Sequence, residues 1–269
     1  MKMNISTIVL SVFTIFCVGC TGNTPEVSTT TEVAKKPTTE QIQQATQKTE
    51  APKENIGNGG TDPLLNPSLA NATAPATYTV LLTTTKGDVL IEVQREWAPN
   101  GADRLYNLVK VGYFTNIAFF RVIGEFMAQF GMHGDPQINS VWKASTLVDD
   151  PVRESNARGY VTFAKTNAPN SRSTQLFINY GNNKNLDSMG FAPIGKVVDE
   201  PGKGGGMSVI DKLYAGYGEG APRGKGPDQR LLGAKGNTYL QAEFPNLDYI
   251  LSARVCGEDA VENAPEYCP

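Results

Sequence analysis

Phe119-Phe-Arg-Val-Ile-Gly-Glu-Phe-Met-Ala-Gln-Phe130 sets one guanidinium, Arg121, and one carboxamide, Gln129, into a largely apolar segment. Further along, Thr174-Gln-Leu-Phe-Ile-Asn179 carries a second amide, Gln175, in another run rich in β-formers. Paired in a sheet, the two would make an apolar wall with fixed polar donors. That is the composition of a small concave site that grips an apolar group and orients it by a few hydrogen bonds. Composition alone also allows two amphipathic strands with Arg121 reaching out to water.

Working outward, Tyr78–Thr84 and Asp88–Val93 are alternating, β-branched runs separated by Lys86-Gly87, the signal of a hairpin. Ala102–Val111 reads as a helix with Leu105, Leu108 and Val109 on one face and Gly112 as its stop. Gly159–Ala164, Gln175–Tyr180 and Phe191–Val198 read as further strands, and Ser208–Tyr214 as a second helix. Many short strands and only two helices predict a mainly β fold built on a closed antiparallel sheet.

Phe120-Arg-Val-Ile123, Phe126-Met-Ala-Gln129, Phe163-Ala-Lys-Thr166 and Thr174-Gln-Leu-Phe-Ile178, in that order and spacing, resemble the signature of the cyclophilin peptidyl-prolyl isomerases. The similarity runs from about Tyr78 to about Tyr217, and a further stretch to Ala253 resembles a tail of some bacterial members. The resemblance implies an eight-stranded antiparallel barrel capped by two helices. It also implies catalysis of cis/trans rotation about X-Pro bonds in polypeptides. Arg121 would be the catalytic donor, while Phe126, Met127, Phe177 and Leu186 would line the proline pocket. Gln129 and Gln175 would hold the substrate backbone, and Ala164 with Lys165 would border the peptide groove.

The chemistry suits these residues. Resonance raises a rotation barrier of about 18–20 kcal/mol in a peptide bond. A donor placed beside the prolyl nitrogen and carbonyl favours a pyramidal nitrogen, and binds more strongly in the twisted state than in the planar one. No nucleophile, metal, cofactor or proton transfer is required. The sole histidine, His133, lies in Gly131-Met-His-Gly-Asp135 with no triad or ligand cluster around it, and reads as half of a local turn pair with Asp135. Two glycine-rich runs, Gly202–Gly206 and Gly216–Gly220, lack the Lys-Ser/Thr pair of a phosphate loop and read as surface loops. Three departures from the family pattern stand out: Phe120 where a His is frequent, Gly124-Glu125 after the Ile, and Asn185 where a Trp usually precedes the leucine. The last predicts weak binding of cyclosporin-like inhibitors.

Met1-Lys-Met-Asn4 followed by the apolar run Ile5–Val18 reads as a secretory signal, too short for a comfortable membrane span. Cys17-Val-Gly-Cys20 resembles the bacterial lipobox, which implies acylation of Cys20 and a lipid-anchored envelope protein. Thr21, in place of an inner-membrane-retaining Asp, points to the outer membrane, facing the periplasm. No aromatic residue occurs between Thr21 and Thr77, so that segment reads as a disordered tether. With Cys17 discarded and Cys20 lipidated, Cys256 and Cys268 remain, and an even remainder in an oxidising compartment implies a disulfide in the C-terminal tail. The expected organisation is therefore a signal over 1–19, a lipidated tether over 20–77, an isomerase domain over 78–253 and a tail over 254–269. A net charge of −3 and a pI near 5.4 provide no basic field for nucleic acid. The partners expected are X-Pro-containing polypeptides and a membrane, with the chain acting as a monomer. A binding module for proline-containing segments, with little turnover, is the alternative reading.

Overall fold

A computed structural model of the chain describes residues 60–199, 205–258 and 264–268. The signal segment, Cys20 and the tether as far as residue 59 lie outside the described residues.

The hairpin is β1 (Thr77–Thr84) and β2 (Gly87–Gln94), paired from Thr77 opposite Gln94 to Thr84 opposite Gly87. Period-two alternation sends Tyr78, Val80, Leu82, Val89, Ile91 and Val93 into the main core, and Leu81 with Leu90 to the other face. The remaining strands are β3 (Ile117–Ala118), β4 (Arg121–Ile123), β5 (Met127–Phe130), β6 (Tyr160–Phe163), β7 (Leu176–Asn179), β8 (Pro193–Val197) and β9 (Tyr249–Val255). They form one sheet in the order β3-β9-β1-β2-β8-β6-β7-β5-β4, and every neighbouring pair is antiparallel.

The expectation of eight strands and two helices needs correction: the described residues hold nine strands and four α-helices. The extra strand arises because the run around Arg121 is interrupted. β3 and β4, the two ends of the order, are pieces of one stretch broken at Phe119-Phe120. Phe119 turns into the main core and donates its N–H to Asp248 O at 2.9 Å, whereas Phe120 is buried in a second cluster with Met132, Leu232, Tyr239 and Leu240.

Helix α1 (Pro99–Lys110) starts earlier than Ala102 because Pro99 occupies its first turn, and it buries Ala102, Leu105, Leu108 and Val109. Helix α2 (Pro136–Ala144) was not expected, yet Asp135-Pro136 is a start signal: Asp135 Oδ1 accepts from Gln137 N and Ile138 N. Helix α3 (Gly206–Ile210) is shorter than the Ser208–Tyr214 expectation. Past Ile210 the chain continues in tighter turns until Asp248 Oδ2 captures the N–H of Tyr214 at 2.7 Å. Helix α4 (Gln229–Glu243), also unexpected, is capped by Asp228 and kinked at Gly236, whose φ is 61°. A Cβ at Gly236 would lie 1.8 Å from Gly134 O, so only glycine allows this approach. Through Leu232, Tyr239 and Leu240, α4 covers the break between β3 and β4.

The folded body begins before Tyr78. From Gly60 the segment expected to be tether lies on the domain. Leu64 O accepts from the indole of the fully buried Trp142 at 2.9 Å, Ala72 exchanges hydrogen bonds with the Asn107 side chain, and Ala74 N donates to Asp103. Few apolar side chains are involved, which is why composition pointed the other way. At the opposite terminus a disulfide joins Cys256 to Cys268, and the fully buried Cys268 packs with Leu81 and Leu90. Tyr267 also donates its hydroxyl to Asp88 at 2.7 Å. The tail thus covers the outer face of the first hairpin, and β9 runs to Val255, two residues beyond the expected domain limit of 253.

Candidate active site

Strand register builds the site. Arg121 lies opposite Gln129, Ile123 opposite Met127, and Gln129 opposite Phe177. In the same strands Val122, Ala128, Phe130, Leu176 and Ile178 belong to the main core. Alternation therefore puts Arg121, Met127, Gln129 and Phe177 together on the face turned away from it, as neighbours close enough to touch.

Met127, Phe177 and Leu186 form a separate buried cluster, with Ile123, Phe126, Ala164 and Phe191 packed against it. Together they make one apolar cluster on this face of the sheet. Phe191 meets Phe177 edge to face at 5.9 Å between ring centroids. Leu186 arrives on a 3-10 helix, Lys184–Met189. Below that turn lies a polar network: Asp187 accepts from Ser155 and from both the backbone and side chain of Asn156, and Asn156 Nδ2 also reaches Phe191 O at 2.9 Å. Burial would raise the Asp187 carboxyl, but these hydrogen bonds outweigh it and hold the group below its ordinary value.

Beside this cluster, the Arg121 guanidinium is held on two edges. Nη1 donates to Gln129 Oε1 at 3.0 Å and touches Met127 Sδ at 3.7 Å, while the group lies 5.6 Å from the Phe126 ring centroid. Gln129 Nε2 in turn donates to Gln175 Oε1 at 2.8 Å, so the two amides and the guanidinium form one chain of hydrogen bonds. On the other edge, Nε and Nη2 donate to Glu219 Oε1 and Oε2 at 2.7 and 2.8 Å. The hydrogen bonds from Arg121 are the main reason the Glu219 carboxyl sits below its ordinary value, against the pull of partial burial.

The site residues expected from sequence thus fall into one neighbourhood. Arg121, Gln129 and Gln175 are linked directly; Phe126, Met127, Phe177, Leu186 and Ala164 make the apolar cluster. Lys165 lies at its rim, its Nζ 5.9 Å from the Phe191 ring centroid, 3.3 Å from Met189 O and 3.8 Å from Asp149. Asn185 is exposed on the 3-10 helix. Two participants were missed. Phe191 could have been suspected as the aromatic heading a β-run next to Ala192-Pro193. Glu219 carried no signal, because Gly216–Gly220 reads as a surface loop; in the folded chain that loop sets its carboxylate on Arg121, 98 residues away. His133 is not part of the site. Its Nδ1 accepts from Asp135 N at 2.9 Å, and the Asp135 carboxylate caps α2 instead of pairing with the ring.

Comparison with known proteins identifies the family. Residues 79–229 match the family model for the cyclophilin type peptidyl-prolyl cis-trans isomerase/CLD. A probable peptidyl-prolyl cis-trans isomerase of Brucella abortus is 32% identical over 151 residues, 51% of this chain and 72% of the relative. A human peptidyl-prolyl cis-trans isomerase-like 3 is 34% identical over 142 residues, 50% of this chain and 80% of the relative. Among solved structures, a Cryptosporidium parvum cyclophilin type peptidyl-prolyl cis-trans isomerase aligns with a TM-score of 0.48 at 18% identity, covering 68% of this chain and 99% of that one. The matched residues include the whole apolar cluster and Glu219, and the chain belongs to the cyclophilin type peptidyl-prolyl cis-trans isomerase family.

Proposed function

We propose that this chain is a peptidyl-prolyl cis/trans isomerase in which the Met127, Phe177 and Leu186 pocket seats the prolyl ring and Arg121 lowers the barrier to rotation. The observation that carries the reading is the position of Nη1, at the pocket edge beside Met127 Sδ and fixed by Gln129. A ring seated on Met127 and Phe177 brings its nitrogen and the preceding carbonyl under that donor. As the bond twists, the nitrogen lone pair leaves conjugation and becomes a better acceptor, so the hydrogen bond strengthens in the transition state. Gln129 and Gln175 keep amide groups at the rim, where an extended peptide backbone needs partners. The ends of the sheet order, β3 and β4, belong to one stretch, and this supports a sheet that closes as a barrel through Phe119-Phe120 with the site on its outer face.

The substrates are X-Pro segments of polypeptides, and the setting is the cell envelope. Cys17-Val-Gly-Cys20 supports lipidation at Cys20, and Thr21 supports the outer membrane. Two or more acyl chains anchor a protein stably where one does not. Detergent but not high salt should release the mature protein, and Cys20→Ser protein that stays in the membrane with its signal removed would refute the anchor. Exchange spectroscopy on short X-Pro peptides tests the activity: catalysed interconversion supports the enzyme, and binding without turnover supports a proline-segment binding module.

A further inference from the structure

Glu219 is the largest part of the site that the isomerase reading does not use. It comes from a loop outside the sheet, yet both carboxylate oxygens are committed to Nε and Nη2 of Arg121. The loop holds it there. Gly220 N donates to Glu219 Oε1 at 2.9 Å, Gly226 N donates to Glu219 O at 2.8 Å, and a Cβ at Gly224 would meet Glu219 O at 2.3 Å. Tyr217, two residues earlier, packs edge to face on Phe244 and on Tyr214, each at 5.0 Å between ring centroids. The carboxylate is therefore presented from a tied loop.

Its edge of attachment decides between two roles. A carboxylate competing with substrate would cover the nitrogen that faces the pocket. Glu219 takes the opposite edge: the nitrogen beside Met127, Nη1, donates to Gln129 Oε1 and Met127 Sδ and not to Glu219. A guanidinium on a flexible stem samples many orientations, and a planar fork matched to a carboxylate removes that freedom. We infer that Glu219 is the positioning residue of this isomerase, clamping Nε and Nη2 so that Nη1 of Arg121 faces the prolyl nitrogen. Gln129 fixes one point of the plane and Glu219 the other two. The inference rests on the reading of Arg121 as the transition-state donor.

Because the pocket seats the proline and Glu219 does not touch it, loss of the clamp acts on turnover more than on binding. Glu219→Ala should lower kcat about 10-fold with KM nearly unchanged, since misplacing a catalytic group costs rate while ground-state contacts persist. Glu219→Gln, which offers one oxygen to the two-point fork, should fall between this variant and wild type. Acetate should restore part of the kcat of Glu219→Ala by refilling the fork, and should do nothing for Arg121→Ala. Dynamic NMR on an X-Pro peptide gives kcat and KM separately, and the melting curve of each variant checks folding. Unchanged or raised kcat in Glu219→Ala or Glu219→Gln would overturn the inference, a rise marking the carboxylate as a competitor of substrate. Arg121→Ala, measured alongside, separates the claims. If it is inactive while Glu219→Ala matches wild type, only the role of Glu219 falls; if it is fully active, the donor role falls and the clamp with it.

Discussion

Asn183 Nδ2 donates to Phe126 O at 2.8 Å and so ties the turn that carries Leu186 to the loop that carries Phe126 and Met127. The same nitrogen also bonds Asn179 Oδ1 at 2.7 Å, at the end of the strand bearing Phe177. Three sides of the apolar pocket are thereby joined through one buried amide.

Replacing Asn183 with Ala leaves the Phe126 carbonyl and the Asn179 amide oxygen without this donor, a loss of about 1–3 kcal/mol for buried groups. The denaturant midpoint should drop accordingly, and KM for X-Pro peptides should rise as the walls part. An Asn183→Ala protein with wild-type midpoint and KM would show that the pocket holds its shape without that amide.

The segment from Gly60 to Ala76 belongs to the domain, so a protein starting at Tyr78 should be less stable than one starting at Gly60. It loses the acceptor for the Trp142 indole and the partners of Asn107 and Asp103. Each buried donor or acceptor so orphaned costs on the order of 1–3 kcal/mol where water cannot replace the partner. Trp142 fluorescence should shift to the red in the shorter protein. Equal melting temperatures and emission maxima for the two would contradict this docking.

The disulfide closes a span of 12 residues, for which the chain-entropy argument gives about 3 kcal/mol. Reduction also frees the tail that covers Leu81 and Leu90. Cys256→Ser should therefore melt at a lower temperature than wild type while keeping its kcat/KM. The tail packs on Leu81 and Leu90, and none of its residues belongs to the cluster of Met127, Phe177 and Leu186. A loss of activity in folded Cys256→Ser protein would refute this separation.

Burial holds His133 below its ordinary value, with Asp135 pulling weakly the other way. Its Nδ1 must stay unprotonated to accept from Asp135 N. The unfolded chain takes up a proton near pH 6.5 where the folded chain does not, so the stabilisation is full above about pH 6.5 and is lost as pH falls toward the lowered value. His133 is the sole histidine in the chain, so no other imidazole contributes in that window. Unfolding free energy measured between about pH 7.5 and 5.5 should decline in wild type and decline less in His133→Gln. Identical slopes would exclude His133 as the source.

How much of this was legible depended on the range of the interaction. The pocket could be read because alternation within Arg121–Phe130 and Leu176–Asn179 fixes which side chains share a face, and a strand period is a local property. The first hairpin was legible for the same reason. Glu219 was not, since its role depends on where a glycine-rich loop comes to rest against a strand 98 residues earlier. Helix α4 was hidden by Gly233 and Gly236: its helix is held by the contacts of Leu232, Tyr239 and Leu240 more than by propensity. The segment from Gly60 to Ala76 binds through hydrogen bonds to side chains of α1 and α2, and hydrophobic composition carries no trace of them.

The central claim is that Arg121 Nη1 is the donor that stabilises the twisted X-Pro bond. Its most direct test is kcat/KM of Arg121→Ala on a short X-Pro peptide, with the melting curve taken on the same sample. Loss of one donor aimed at a transition state costs about 2.7–4 kcal/mol, so the activity should fall by a factor of about 100 or more while the melting temperature changes little. An Arg121→Ala protein that melts like wild type and retains wild-type kcat/KM would contradict the account.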